Sequence, residues 1–268
     1  MFKVAAFSAF LCLLAAPGFA QSTQHVDNVD AALLPGWQTG AGRYMAGLQL
    51  MLAPGWKTYW RAPGEAGIPP LFNWSGSENL KSVGVHWPTP SVFQTNGLQS
   101  IGYHDQVTLP LAVTALDPSK PVRLHAVVDL GVCKDICLPA SLDLTVDLNG
   151  PGTPDATIKG ALAAQPKDAD ESGLTSIACT VDPIADGLKI TATLQLPNQG
   201  ATETVAFETG QPDIWVAEAK TSRNGDTLIS VTDMVPPTGA PFALDRSKIK
   251  ITVLAGNNAV EIRGCPAF

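Results

Sequence analysis

Cysteine is scarce in this chain, with five residues in 268. That excludes a disulfide-dense miniprotein, so a hydrophobic core must carry the fold. Basic residues are also few: 17 Lys and Arg stand against 24 Asp and Glu, for a net charge of -7. Without a basic cluster there is no footprint for phosphate backbones, and nucleic acid is not an expected partner. Beyond the first twenty residues no apolar run reaches the 18 or so that a membrane helix requires, so no transmembrane span is expected. Walker loops, dinucleotide fingerprints and a Ser-His-Asp context are all missing, and glycine-rich NGPGTP (149–154) reads as turns. No cofactor is expected.

What is present starts with the amino terminus, MFKVAAFSAFLCLLAAPGFA. Lys3 gives a positive start, Val4 to Ala16 an apolar run, and Gly18-Phe19-Ala20 a small-x-small end. This is the grammar of a cleaved export signal over residues 1–20, with the cut expected after Ala20. Cleavage removes Cys12 and the single charge Lys3, taking the net charge from -7 to -8. Four cysteines then remain, Cys133, Cys137, Cys179 and Cys265, an even number in an exported chain.

The body alternates apolar and polar residues with period two. MAGLQLML (45–52), VTLPLAV (107–113), VRLHAVVDL (122–130) and LDLTVDL (142–148) do so in the first half. LKITATLQL (188–196), TLISVT (227–232) and IKITVL (249–254) repeat it in the second. Such runs, punctuated by 24 Gly and 22 Pro, indicate half-buried strands. The expected fold is all-β: two immunoglobulin-like β-sandwich domains joined by a short helical linker. The first domain is placed at 22–150, the linker at 151–172 and the second domain at 173–268. Within the linker, Thr153 is the expected helix cap, Pro154 the first helical position, and Ile158 and Leu162 share a face.

GVCKDICLP (131–139) puts Cys133 and Cys137 four residues apart. Three readings compete: a structural clip, a metal site or a redox pair. A disulfide here closes a tiny loop and yields only about 2 kcal/mol of chain-entropy stabilisation. A Cys179–Cys265 bridge yields about 4.6 kcal/mol and spans the second domain, so it is assigned as structural. A short loop disulfide tends to reduce readily, which suits exchange chemistry. Lys134 between the two sulfurs favours a thiolate and Asp135 opposes it. Two thiolates with His104 or His125 would offer soft-metal ligands, but the spacing matches no zinc pattern, and no metal is assigned.

Three blocks of the first half resemble the amino-terminal domain of the thiol:disulfide interchange protein DsbD, in the form found in suppressor-of-copper-sensitivity B proteins. They are GWKTYWRAPGEAGIPP (55–70), WPTPSVFQTNGLQSIGYHDQVTLPL (87–111) and LGVCKDICLP (130–139). The resemblance implies an immunoglobulin-like sandwich with a reactive cysteine pair in a loop. Cys137 then forms the mixed disulfide and Cys133 resolves it. It also implies a cap over the pair from Phe93 to Gln99, with Asn96-Gly97 as its turn. Tyr59, Tyr103 and Asp105 are implied as supporting residues near the sulfurs.

The expected activity is thiol-disulfide interchange in the periplasm, of the protein-disulfide reductase kind, in a setting of copper or oxidative-stress tolerance. The chain carries neither the family's membrane core nor its thioredoxin-like domain. The expected partners are therefore a separate membrane electron donor and exported thiol-disulfide substrates. The alternative is a periplasmic copper-binding or partner-docking sandwich without redox turnover. Many family members have five residues between the cysteines; here there are three.

Overall fold

The computed structural model describes residues 22–95 and 97–267. The expected export signal and Asn96 therefore lie outside the described residues. The first sandwich has eleven strands: β1 (Thr23–Val26), β2 (Val29–Gly40), β3 (Arg43–Leu52), β4 (Lys57–Tyr59), β5 (Leu71–Asn73), β6 (Leu80–Val85), β7 (Ser91–Thr95), β8 (Leu98–His104), β9 (Gln106–Ala115), β10 (Val122–Cys133) and β11 (Cys137–Leu148). A helix, α1 (Ala156–Ala163), follows. The second sandwich has nine: β12 (Lys167–Asp168), β13 (Ser176–Ile184), β14 (Gly187–Gln195), β15 (Thr204–Glu208), β16 (Trp215–Val216), β17 (Lys220–Asn224), β18 (Thr227–Val235), β19 (Lys250–Ala255) and β20 (Asn258–Arg263).

In the first sandwich one sheet runs β1-β2-β3-β9-β6 and the other β11-β10-β4-β8-β7, with β5 also on β10. The period-two pattern shows why. Along β10, Val122, Leu124, Ala126, Val128, Leu130 and Val132 are buried at every second place, while Arg123 and Asp129 face out. Their partners Leu142, Leu144, Val146 and Leu148 do the same on β11. These rows meet Leu33, Leu48, Leu109, Leu111 and Val113 of the opposite sheet in one core.

The second sandwich pairs β12-β20-β19-β15 against β13-β14-β18-β16, with β17 on β18. The Cys179–Cys265 disulfide joins β13 to the segment after β20, and both cysteines are buried in this core. The chain is thus all-β with two sandwiches, as its periodicity predicts.

The helix starts later than the sequence reading places it. Asp155, not Thr153, is the cap: its carboxylate accepts from the Thr157 and Ile158 amides at 2.7 and 3.0 Å. Pro154 therefore precedes the helix. An ionised carboxylate is the stronger acceptor for two orphan amides, which is the physical reason for the shift. Ile158 is the residue the helix buries.

The two sandwiches are packed together. In β15, Thr204, Ala206 and Glu208 point away from the second core, as do Leu254 and Ala259 across the ladder. Ala206, Leu254 and Ala259 bury themselves in the first sandwich's core. Arg61 fixes this contact: its guanidinium donates to both Glu208 oxygens at 3.0 Å and to Glu261 at 2.7 Å. It also lies over the Trp60 ring at 4.2 Å.

Candidate functional site

The site lies where the β10–β11 hairpin ends. Cys133 and Cys137 are the last cross-strand pair of that ladder and are joined as a disulfide, with Cα atoms 4.1 Å apart. Lys134, Asp135 and Ile136 form the exposed turn between them. Register explains the orientation. Even-numbered residues of β10 and β11 face the core, so both cysteines lie on the outer face.

The two sulfurs do not share one environment. Cys133 is 1% exposed, although its strand face looks outward. Cys137 is exposed. Residues of β4 and of the chain between β4 and β5 lie on this outer face. At Gly131 an added Cβ would stand 3.1 Å from Ile68 and 3.3 Å from the Tyr59 ring. Glycine there lets Ile68 and Tyr59 lie down on β10 beside the pair.

Tyr59 touches the disulfide directly. Its hydroxyl is 3.4 Å from the Cys137 sulfur. The residue is buried, and desolvation raises its pKa above the ordinary tyrosine value. It therefore stays a neutral O–H donor, suited to hydrogen-bond a Cys137 thiolate once the disulfide opens.

Lys57 was not singled out from the sequence. It is the cross-strand partner of Cys133 on one side and of His104 on the other. Cys137, Cys133, Lys57 and His104 thus form one row across four strands, with side chains on the same face. The Lys57 ammonium is buried, 3.3 Å from the Ser100 hydroxyl and 5.1 Å from the centre of the Phe93 ring. Burial lowers its pKa. A signal for it was present in GWKTYW: strand alternation puts Lys57 and Tyr59 on one face, so a tyrosine at the sulfurs brings the lysine with it.

The proposed cap is a hairpin. β7 and β8 pair from Ser91–Gly102 to Thr95–Leu98, and Gly97 at the tip has φ +80°. Asn96 falls outside the described residues. Phe93 packs edge-on against His104 at 4.2 Å between ring centres. Its ring lies beside the ammonium of Lys57, the cross-strand partner of Cys133.

Tyr103 and Asp105 are placed elsewhere. Tyr103 faces the interior, and its hydroxyl donates to the Pro88 carbonyl at 2.8 Å. Burial pushes its pKa well up, with the Arg61 charge opposing. Asp105 is exposed at φ +58° between β8 and β9, where the chain crosses from one sheet to the other. Its carbonyl accepts from the Leu52 amide at 2.6 Å. His125 is eight residues from Cys133 along β10, roughly 26 Å at strand rise. It is bound to Asp143 and to the Ser75 carbonyl. Among the described residues no group of three His, Cys, Asp or Glu side chains is placed to hold a metal ion.

Fold and site define an all-β, two-sandwich chain bearing a loop-end disulfide between one exposed and one buried cysteine. Residues 30–148 match the family described as thiol:disulfide interchange protein DsbD, N-terminal. The match spans the first sandwich from β2 through β11 and includes both cysteines of the pair. Among solved structures, the chain is similar to the N-terminal periplasmic domain of ScsB from Proteus mirabilis, at 23% identity and a TM-score of 0.70. That alignment covers 93% of this chain and 97% of the other, so the two-sandwich fold is common to both. Comparison with curated proteins gave no match.

Proposed function

We propose that the protein is a periplasmic thiol-disulfide interchange protein whose Cys133–Cys137 pair exchanges with protein partners. The observation that carries this reading is the split environment of the pair. Cys137 is open to an incoming partner, and Cys133 is held where only its own neighbour reaches it. The DsbD amino-terminal match over this segment supports it.

In the dithiol state, the Cys137 thiolate attacks one sulfur of a partner disulfide. The partner's other sulfur leaves as a thiolate and takes up a proton. Cys133 then loses its proton and attacks the Cys137 sulfur, and the partner's second sulfur departs as a thiolate that takes up a proton in turn. Cys133–Cys137 is now a disulfide, and the partner has gained two electrons and two protons. The resolving step is internal, so a buried Cys133 stays within reach of Cys137 while competing oxidants are excluded. A separate dithiol donor runs the same steps in reverse. Its thiolate attacks Cys137, and Cys133 leaves beside the Lys57 ammonium, which favours the thiolate form. Tyr59 serves Cys137 in the same sense.

Exposed Ile136, in the turn between the cysteines, and Leu98, at the cap tip, offer apolar contacts to a docking partner. In this reading residues 22–150 are the redox domain, 151–172 the linker and 173–268 a docking domain. Exported substrates and a membrane electron donor are the partners, and copper or oxidative-stress tolerance is the setting. The export signal over 1–20 delivers the chain there.

Titration of the mature protein in glutathione buffers tests this, with alkylated cysteines counted by mass spectrometry. Cys133 and Cys137 are expected to reduce together above about -300 mV while Cys179 and Cys265 remain bridged. A pair that stays oxidised throughout makes it an inert clip and removes the proposal.

A further inference from the structure

Between the sandwiches lies a cleft of about 590 Å³. One wall is the loop Arg61–Pro69 of the first sandwich; the other is β15 and the chain that follows it to Ala219. Four consecutive residues of β15, Val205 to Glu208, line it. Successive strand residues point to opposite faces, so a wall made of all four presents the strand's edge. β15 is the last strand of its sheet and pairs with β19 alone. Among the described residues no backbone hydrogen bond reaches its other side. Every second amide and carbonyl of that edge thus faces the cleft, a template for one more strand.

The side chains around this edge state what kind of strand fits. Trp215, 50% exposed, stands in the cleft with Ile214 and Val216. A half-open tryptophan in a concave site is an anchor for an apolar side chain. The charges are lopsided: Glu65, Glu208, Asp213 and Glu218 face a single cation, Arg61. Arg61 is already held by Glu208 and Glu261. The surplus carboxylates favour a cationic occupant.

The loop that walls the cleft also packs beside the disulfide site. Gly67 lines it, and a Cβ there would come within 2.9 Å of the Tyr59 ring. The same tyrosine meets the Cys137 sulfur through its hydroxyl. One loop therefore forms both a cleft wall and the cover beside the disulfide.

We propose that this cleft binds an extended, apolar and basic polypeptide segment of the exchange partner as an added strand on β15, holding it next to Cys137. The substrate class is a chain with an unfolded stretch near its cysteines. This rests on the interchange reading of Cys133–Cys137. Main-chain hydrogen bonds to the edge give affinity without demanding one sequence, while Trp215 and the carboxylates select composition.

The test uses the full mature protein and a short cysteine-free peptide of alternating valine and lysine, with a valine-glutamate peptide as control. The expected result is saturable binding of the lysine peptide by calorimetry and slowed amide exchange within 204–208. Affinity should fall about tenfold in Trp215→Ala, as for an aromatic anchor, and by as much for the glutamate peptide. Equal binding of both peptides, no binding, or binding without protection in 204–208 overturns the proposal. A cysteine-bearing lysine peptide, offered as a disulfide to Cys133→Ala, separates the two readings. A mixed disulfide on Cys137 without protection of 204–208 refutes the cleft and upholds interchange. Protection without a mixed disulfide refutes interchange and upholds peptide binding.

Discussion

Cys133 and Cys137 are bonded to each other, yet one residue is sealed from water and the other is exposed to it. The strand register points both outward, and Ile68 and the Tyr59 ring lie against Gly131 of the same outer face. The difference in exposure makes the two single-cysteine variants unequal. Cys133→Ala leaves an open thiol that cannot be resolved, so mixed disulfides should accumulate on Cys137. Cys137→Ser leaves a covered thiol, and trapping should fall to background. Non-reducing gels against a partner disulfide check this; equal trapping by both variants would contradict the assigned roles.

Tyr59 and Cys137 give a second expectation. A hydrogen bond to a charged group such as a thiolate contributes about 1.5–3 kcal/mol. Tyr59→Phe should therefore raise the Cys137 pKa in the reduced protein by about one to two units. Exchange near neutral pH should slow by about tenfold, and the pair should become harder to reduce. Thiolate absorbance against pH measures the first effect. Because burial holds the tyrosine neutral beyond its ordinary range, the effect should persist throughout the cysteine titration.

Tyr103 bears on stability rather than on the sulfurs. Its folded-state pKa lies well above the ordinary value of 10.0, chiefly through burial. The unfolded chain therefore ionises first. The associated stability is complete below about pH 10 and is lost as pH rises toward the folded-state value. Tyr103→Phe should cost about 1 kcal/mol at neutral pH through loss of the Pro88 hydrogen bond. Above pH 10 the gap between variant and parent should narrow. Urea unfolding across pH 8 to 11 reads both; a gap that widens with pH would reverse the assignment.

The fold was legible because the long strands alternate cleanly. β3, β9, β10, β11, β14, β18 and β19 each carry a period-two run in the sequence. The strands of the β7–β8 hairpin were not: LQSIGYH has both faces covered and loses that alternation, while SVFQT is a short run with no buried side chain among Ser91–Gln94. Burial at Leu98–His104 is nearly continuous after its first residue. β15 hides for the same reason: its outward face is buried in the neighbouring sandwich. At the site, the cysteine spacing announced the pair, and the motif block brought Tyr59 with it. The resemblance grouped Tyr103 with the sulfurs, but strand parity sends it to the core. Lys57 and Arg61 were overlooked because a lone basic residue in an aromatic block gives no signal of its own. Their roles come from cross-strand and inter-sandwich neighbours that sequence distance conceals.

Arg61 supplies the last expectation. It spans 147 residues to Glu208 and 200 to Glu261, and all three side chains are largely shielded from solvent. Removing the guanidinium leaves two carboxylates facing each other, with Lys250 and Arg263 near Glu261 only. Breaking a fully buried pair costs about 3–5 kcal/mol, and partial exposure here reduces that to about 1–3 kcal/mol. The loss falls on the contact between sandwiches, since each keeps its own core and the second its own disulfide. Arg61→Met should therefore convert one calorimetric unfolding transition into two, or broaden it, with the Cys179–Cys265 sandwich melting at the higher temperature. The redox potential of Cys133–Cys137 should stay unchanged, because Tyr59, Lys57 and the cap hairpin all belong to the first sandwich. A single sharp transition at the parent temperature would show that apolar packing through Ala206, Leu254 and Ala259 holds the sandwiches together without the ion pair.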